Sequence, residues 1–158
     1  MPVHPQTRRE ETDEERADRN LGELLGELRV ALPGVQVLFA FLLVVPFNQR
    51  FVDVTDFQEK LYFATLLLTA GASAFLIAPT VHHRVEFRQQ DKEHIVVVAN
   101  RLAVVGTVLL ALAMTGAIML VTDVLFGAVV VVLAGALVGL LFLVLWYAIP
   151  LRRRLNLR

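Results

Sequence analysis

Apolar residues along this chain fall in long blocks, and the longest sets the scale for the others. Residues 102–151 carry a single charge, Asp123. A helix rises 1.5 Å per residue and needs roughly 20 apolar residues to cross a hydrocarbon core of about 30 Å. That block is therefore long enough for two crossings and too long for one. The expected reversal is at Thr122 and Asp123, between spans at about 102–121 and 124–149. Both are expected to be helices, because lipid offers backbone N–H and C=O groups no partner outside a helix or a closed barrel.

Upstream, residues 61–81 are free of charge and predict a span at about 57–81, opened by Thr55 and Gln58 in a capping pattern and ended by Pro79. The hydroxyls of Thr65, Thr69 and Ser73 are expected to bond back to carbonyls of their own helix. Residues 30–47 are also uncharged and predict a shorter first span, although Pro33, Gln36 and Pro46 leave a re-entrant segment as the competing reading. Ahead of it, Thr12 followed by Glu15 forms a capping box that predicts a helix over about 13–32. Leu21, Leu24, Leu25, Leu28 and Leu32 fall within about 100° of one another on it, while Arg16, Arg19, Glu23 and Glu27 face away. Pro33 and Gly34 are expected to end this amphipathic helix and let the chain change direction. Residues 1–11 have no apolar periodicity and read as a disordered leader.

The fold class that follows is all-α and integral to a membrane: a four-transmembrane-helix bundle preceded by a cytoplasmic amphipathic helix. In domain terms, residues 1–32 are the arm and amphipathic helix, 33–151 the membrane domain, and 152–158 a basic tail. Charge adds the orientation. The chain has a formal net charge of zero, yet Arg and Lys number thirteen in the N-terminal arm, the 82–101 loop and the tail, against two, Arg50 and Lys60, on the other side. This bias predicts cytoplasmic N- and C-termini, and it alternates correctly with four spans but not with three. Residues 1–32 hold eight acids and five bases. Anionic lipid would repel such a helix, so its leucine stripe is expected to hold it in place, helped weakly by the nearby basic tail.

Composition narrows the chemistry. The chain is 158 residues long and 56% hydrophobic with no cysteine, which removes disulfides, thiolate catalysis and cysteine-held metal. His82, His83 and Glu86, with His94 further on, are the weak candidates for a metal or proton site, since His82 and Glu86 are four apart on a helix. Histidines next to Arg84 at a membrane edge are more often simply solvated. No ionisable group lies inside a span, and Gln36 and Asn100 lie near span ends, which disfavours a proton-coupled carrier or a charge-lined channel. Gly135 and Gly139, four apart in the last span, predict a close helix–helix contact, either within the bundle or between copies. No phosphate-binding loop, dinucleotide fingerprint, zinc-protease motif or nucleophile elbow is present, so no enzyme activity, cofactor or nucleic-acid partner is expected.

The runs ETDEERADRNLGELLGELRVALPGVQVLFAFLLVVPFNQRF, FQEKLYFATLLL, LIAPTVHHRVEFRQQDKEHIVVVANRLA and LWYAIPL together resemble a family of small actinobacterial membrane proteins catalogued only as a domain of unknown function. That resemblance implies a bacterial plasma membrane and carries no activity or site residue with it. The expected role is a structural or regulatory subunit whose cytoplasmic face meets a partner protein or a second copy. The alternative is an oligomeric passive channel or small-solute exporter.

Overall fold

The structure, a computed structural model, describes residues 12–85 and 92–156, so the expected leader over residues 1–11 lies outside the described residues. Every element within them is helical. Helix α1 (Asp13–Val44) opens on the capping box: Glu15 N–H donates to Thr12 Oγ1 at 3.3 Å, and Thr12 N–H donates to Glu15 Oε2 at 3.0 Å. It then runs unbroken through Pro33. The expected break at Pro33 and Gly34 does not occur, and the amphipathic segment and the first span are one helix. Proline removes one hydrogen bond, whereas a broken helix in lipid would strand several backbone groups, each at a cost of several kcal/mol. The buried face also stays in phase across the proline. Leu21, Leu28, Val35 and Leu42, spaced seven apart, are all buried, while Pro33 is exposed and displaces nothing.

Two short 3₁₀ turns, Val45–Phe47 and Gln49–Asp53, lead to α2 (Asp56–Val85). Its start is capped reciprocally: Gln58 N–H donates to Thr55 Oγ1 at 3.3 Å and Thr55 N–H donates to Gln58 Oε1 at 3.1 Å. Pro79 does not end α2, which continues past it with the ring fully buried. Helix α3 (Lys92–Leu125) also overruns its expected end. Thr122 Oγ–H bonds to the Ile118 carbonyl at 2.7 Å and Asp123 finds a partner on α2, so both polar residues fit inside the helix. The reversal falls instead at Phe126 and Gly127.

Helix α4 (Ala128–Phe142) passes through a π-turn, Leu143–Ala148, into α5 (Ile149–Asn156). The π-turn has a local cause, because Pro150 has no N–H for the Trp146 carbonyl and its ring crowds that carbonyl. Four helices are long and apolar enough to cross a membrane: Asp18–Phe47, Asp56–His82, Ile95–Leu125 and Ala128–Arg153.

Among the described residues, helices α1, α2 and α3 pack on one another, but α4 packs on α3 alone and α5 touches only the π-turn before it. The expected four-helix bundle is thus a three-helix core with a fourth helix on its flank. Among the described residues, α5, which carries Arg152 and Arg153, makes no contact with α1. One core cluster joins Leu28 and Val35 of α1, Ala72 and Leu76 of α2, and Ala103 and Leu110 of α3. A second, at the end carrying the chain's basic residues, joins Leu21 to Ile95 and Ala99 with Leu24, Leu25 and Val96 around them.

Candidate functional site

The α2–α3 seam is built from small residues, and it fixes the geometry of everything else. Ala99, Ala103, Gly106, Ala113 and Gly116 of α3 are buried, as are Thr65, Thr69, Ala72 and Ser73 of α2. A Cβ built on Gly106 would stand 2.7 Å from Leu76 Cγ and Cδ2 and 3.2 Å from its backbone N, and one on Gly116 would overlap Thr65 Oγ1. Close backbone approach of this kind is a main source of helix association in lipid. Thr65 donates to the Leu61 carbonyl at 2.7 Å and Thr69 to the Thr65 carbonyl at 2.8 Å, as their spacing predicts, whereas the buried Ser73 hydroxyl has no partner among the described residues. The four-and-three spacing of small residues on α3 was a readable signal for this seam, and the sequence reading placed its glycine contact only in the fourth helix.

That fourth-helix contact is with α3. A Cβ on Gly135, which is buried, would stand 2.7 Å from Met119 Sδ, and one on Gly139 would stand 3.8 Å from Thr115 Cγ2. Further along, the Thr107 and Tyr147 hydroxyls share a hydrogen bond at 2.9 Å. Each of these three pairs is symmetric about Gly127, so α3 and α4 form one antiparallel hairpin in constant register. The π-turn keeps that register at its far end: on an uninterrupted α-helix Trp146, seven residues past Gly139, would face α3, and the extra residue brings Tyr147 there instead.

A cleft that combines apolar walls with ionisable groups lies at the end of the molecule away from the basic termini. It encloses about 660 Å³ between the 3₁₀ turns, the start of α2 and the end of α3, with Asn48, Phe51, Asp53, Gln58, Leu120 and Asp123 on its wall. Gln58 organises it. While its amide oxygen caps Thr55, its Nε2 donates to Asp123 Oδ2 at 2.9 Å, tying the start of α2 to the end of α3. Deeper in, Tyr62 donates to the Leu42 carbonyl at 3.0 Å, and Phe51 packs edge-on against the Tyr62 ring at 5.2 Å. The sequence offered no signal for these contacts, since the partners are far apart in the chain.

At the opposite end, His82 lies exposed in the last turn of α2. The side chains of His83 and His94, and all of Glu86, lie outside the described residues, and among the described residues no three metal-ligating groups come together. Leu21 and Leu28 are buried, and Leu24 and Leu25 are half-buried, all packed in the core clusters.

No curated protein and no solved structure matches the chain. Residues 10–150, from the α1 cap to Pro150, match the family described as "Family of unknown function (DUF6328)", and the chain belongs to that family.

Proposed function

We propose that this chain is a multi-pass plasma-membrane protein with both termini in the cytoplasm, acting as a structural or regulatory subunit through a cytoplasmic interaction face. One observation supports this reading above others. Helices α1 and α3, with 32 and 34 residues, are about 48 and 51 Å long and outrun a hydrocarbon core of about 30 Å. Their surplus length lies at the basic end, where Leu21 packs on Ile95 and Ala99. The result is a preassembled stalk whose outer surface carries exposed side chains of both signs, among them Glu15, Arg19, Glu23, Glu27 and Arg29. Mixed charge on a fixed scaffold suits recognition of a protein of matching charge pattern better than binding to uniformly anionic lipid. The leucine stripe is spent inside the molecule, so a partner would read the charged face. A photo-crosslinking residue at position 23 in living cells should give a discrete adduct that Glu27→Lys with Arg29→Glu removes. An unmodified monomer alone would count against the proposal.

The cleft favours a second reading, a passive channel or small-solute exporter assembled from several copies. It has the size of a small-molecule site and carries Asp53 and Asp123. Solute flux into liposomes that Asp123→Asn abolishes would support it over the first.

A further inference from the structure

Most polar side chains in the apolar parts of these helices have a partner. Threonines 65, 69 and 115 bond to carbonyls of their own helices, Tyr62 to Leu42, Thr107 to Tyr147 and Gln58 to Asp123. Gln36 does not. It is exposed, and its amide has no hydrogen-bond partner among the described residues. Because α1 is continuous, Gln36 is also not at the edge of a span, as the expected break at Pro33 would suggest. It lies seven residues, about 10 Å of helix, past Arg29, the last charge before the apolar run, and that run continues to Phe47.

The face is open on the side of Gln36 away from the core. Arg29, Pro33, Ala40 and Phe47 fall within about 60° of Gln36 on that side at 100° per residue and all are exposed, whereas Leu25 and Leu32, within about 40° on the other side, are half-buried against the core. The packed heptad of Leu21, Leu28, Val35 and Leu42 lies on the other side of Gln36, centred roughly 90° away. An amide facing hydrocarbon with neither donor nor acceptor satisfied is strongly disfavoured, and hydrogen bonds between helices are the usual remedy.

What occupies this face follows from the amide itself. It carries both donors and an acceptor, so it complements its own kind. Two copies inserted in the same direction hold Gln36 at the same depth, and a two-fold axis along the membrane normal brings the pair together. A foreign helix would have to supply a polar group at that depth from an unrelated sequence. We infer that the Gln36 face of α1 is the contact between two copies of this chain, with parallel helices and the two amides hydrogen-bonded across the axis. The inference rests on the membrane placement proposed above and adds an intramembrane contact distinct from the charged cytoplasmic face.

The test uses the full-length chain in phosphatidylcholine liposomes, with donor- and acceptor-labelled copies diluted into increasing lipid. Energy transfer should persist on dilution for the parent. Gln36→Leu should need about tenfold more protein per lipid to reach the same transfer, while Gln36→Asn, which keeps an amide, should restore most of it. The chain has no cysteine of its own. Single cysteines therefore report the face: Ala40→Cys should give a disulfide-linked dimer, and Gly34→Cys, exposed but about 160° from Gln36, should not. Parent-like association of Gln36→Leu, equal crosslinking at both positions, or a parent that stays monomeric at every dilution would overturn the inference. A chain that fails to float with the liposomes would overturn the membrane placement itself, which separates the two failures.

Discussion

A methyl group added at Gly106 would meet Leu76 at both its side chain and its backbone, and the backbone cannot rotate away. Gly106→Ala should therefore lower stability by about 1–3 kcal/mol, the usual range for overpacking a tight site. Gly26 has open space where its Cβ would be, so Gly26→Ala should raise stability by about 0.5–1 kcal/mol through helix propensity alone. Thermal unfolding in a mild detergent, followed by circular dichroism, orders the two; a stabilised Gly106→Ala would contradict the seam. Gln58→Leu removes the donor from Asp123 and the cap from Thr55 together, and should cost about 1–3 kcal/mol. Asp123→Asn keeps an acceptor for Gln58 and should cost less. The same unfolding assay distinguishes them, and equal losses would mean that the hydrogen bond is incidental. Individual residues differed sharply in how much the sequence disclosed. Thr12, Thr55, Thr65 and Thr69 make bonds to neighbours three or four positions away, so spacing alone reveals them. Gln58 and Asp123 are 65 positions apart and meet only because α2 and α3 are antiparallel and in register.

Among the elements, α1 carries the clearest division between what pattern could and could not tell. Its cap and its stripe of Leu21, Leu24, Leu25 and Leu28 were legible, since both depend on local geometry. Its continuity through Pro33 was not, and neither was that of α2 through Pro79, because the expectation that proline ends a helix assumes water as the fallback partner for the freed carbonyl. A span in lipid would have none, so the proposed membrane placement favours a helix that persists. The docking of α1 can be tested with Leu21→Cys and Ile95→Cys, which lie in one cluster and should form a crosslink. Adding Leu28→Asp should cut its yield about tenfold or more by placing a charge in the core, an effect of at least about 1.4 kcal/mol. Because α5 makes no contact with α1 among the described residues, Arg152→Gln with Arg153→Gln should leave the yield unchanged. A large loss in that variant would put the basic tail back against α1.

For the whole molecule, the four helices long and apolar enough to cross a membrane followed from block lengths, which need no tertiary information, and the distribution of arginine and lysine carries the proposed orientation. Cysteines at Asn20 and Arg152 should resist a membrane-impermeant maleimide in intact cells, while one at Asp53 should react; labelling of all three, or the reverse pattern, would refute the orientation. The separation into a three-helix core and a flanking helix was not legible, because α4 is as apolar as the others and its isolation depends on which neighbours it lacks. Helix α4 buries only Val131 and Gly135 and meets α3 alone. The α1–α3 core therefore has all of its helices before α4 leaves the exit tunnel, and it can assemble without waiting for α4. Translation stopped after Leu125 should still yield the crosslink between positions 21 and 95, and α4 would then join an already assembled scaffold.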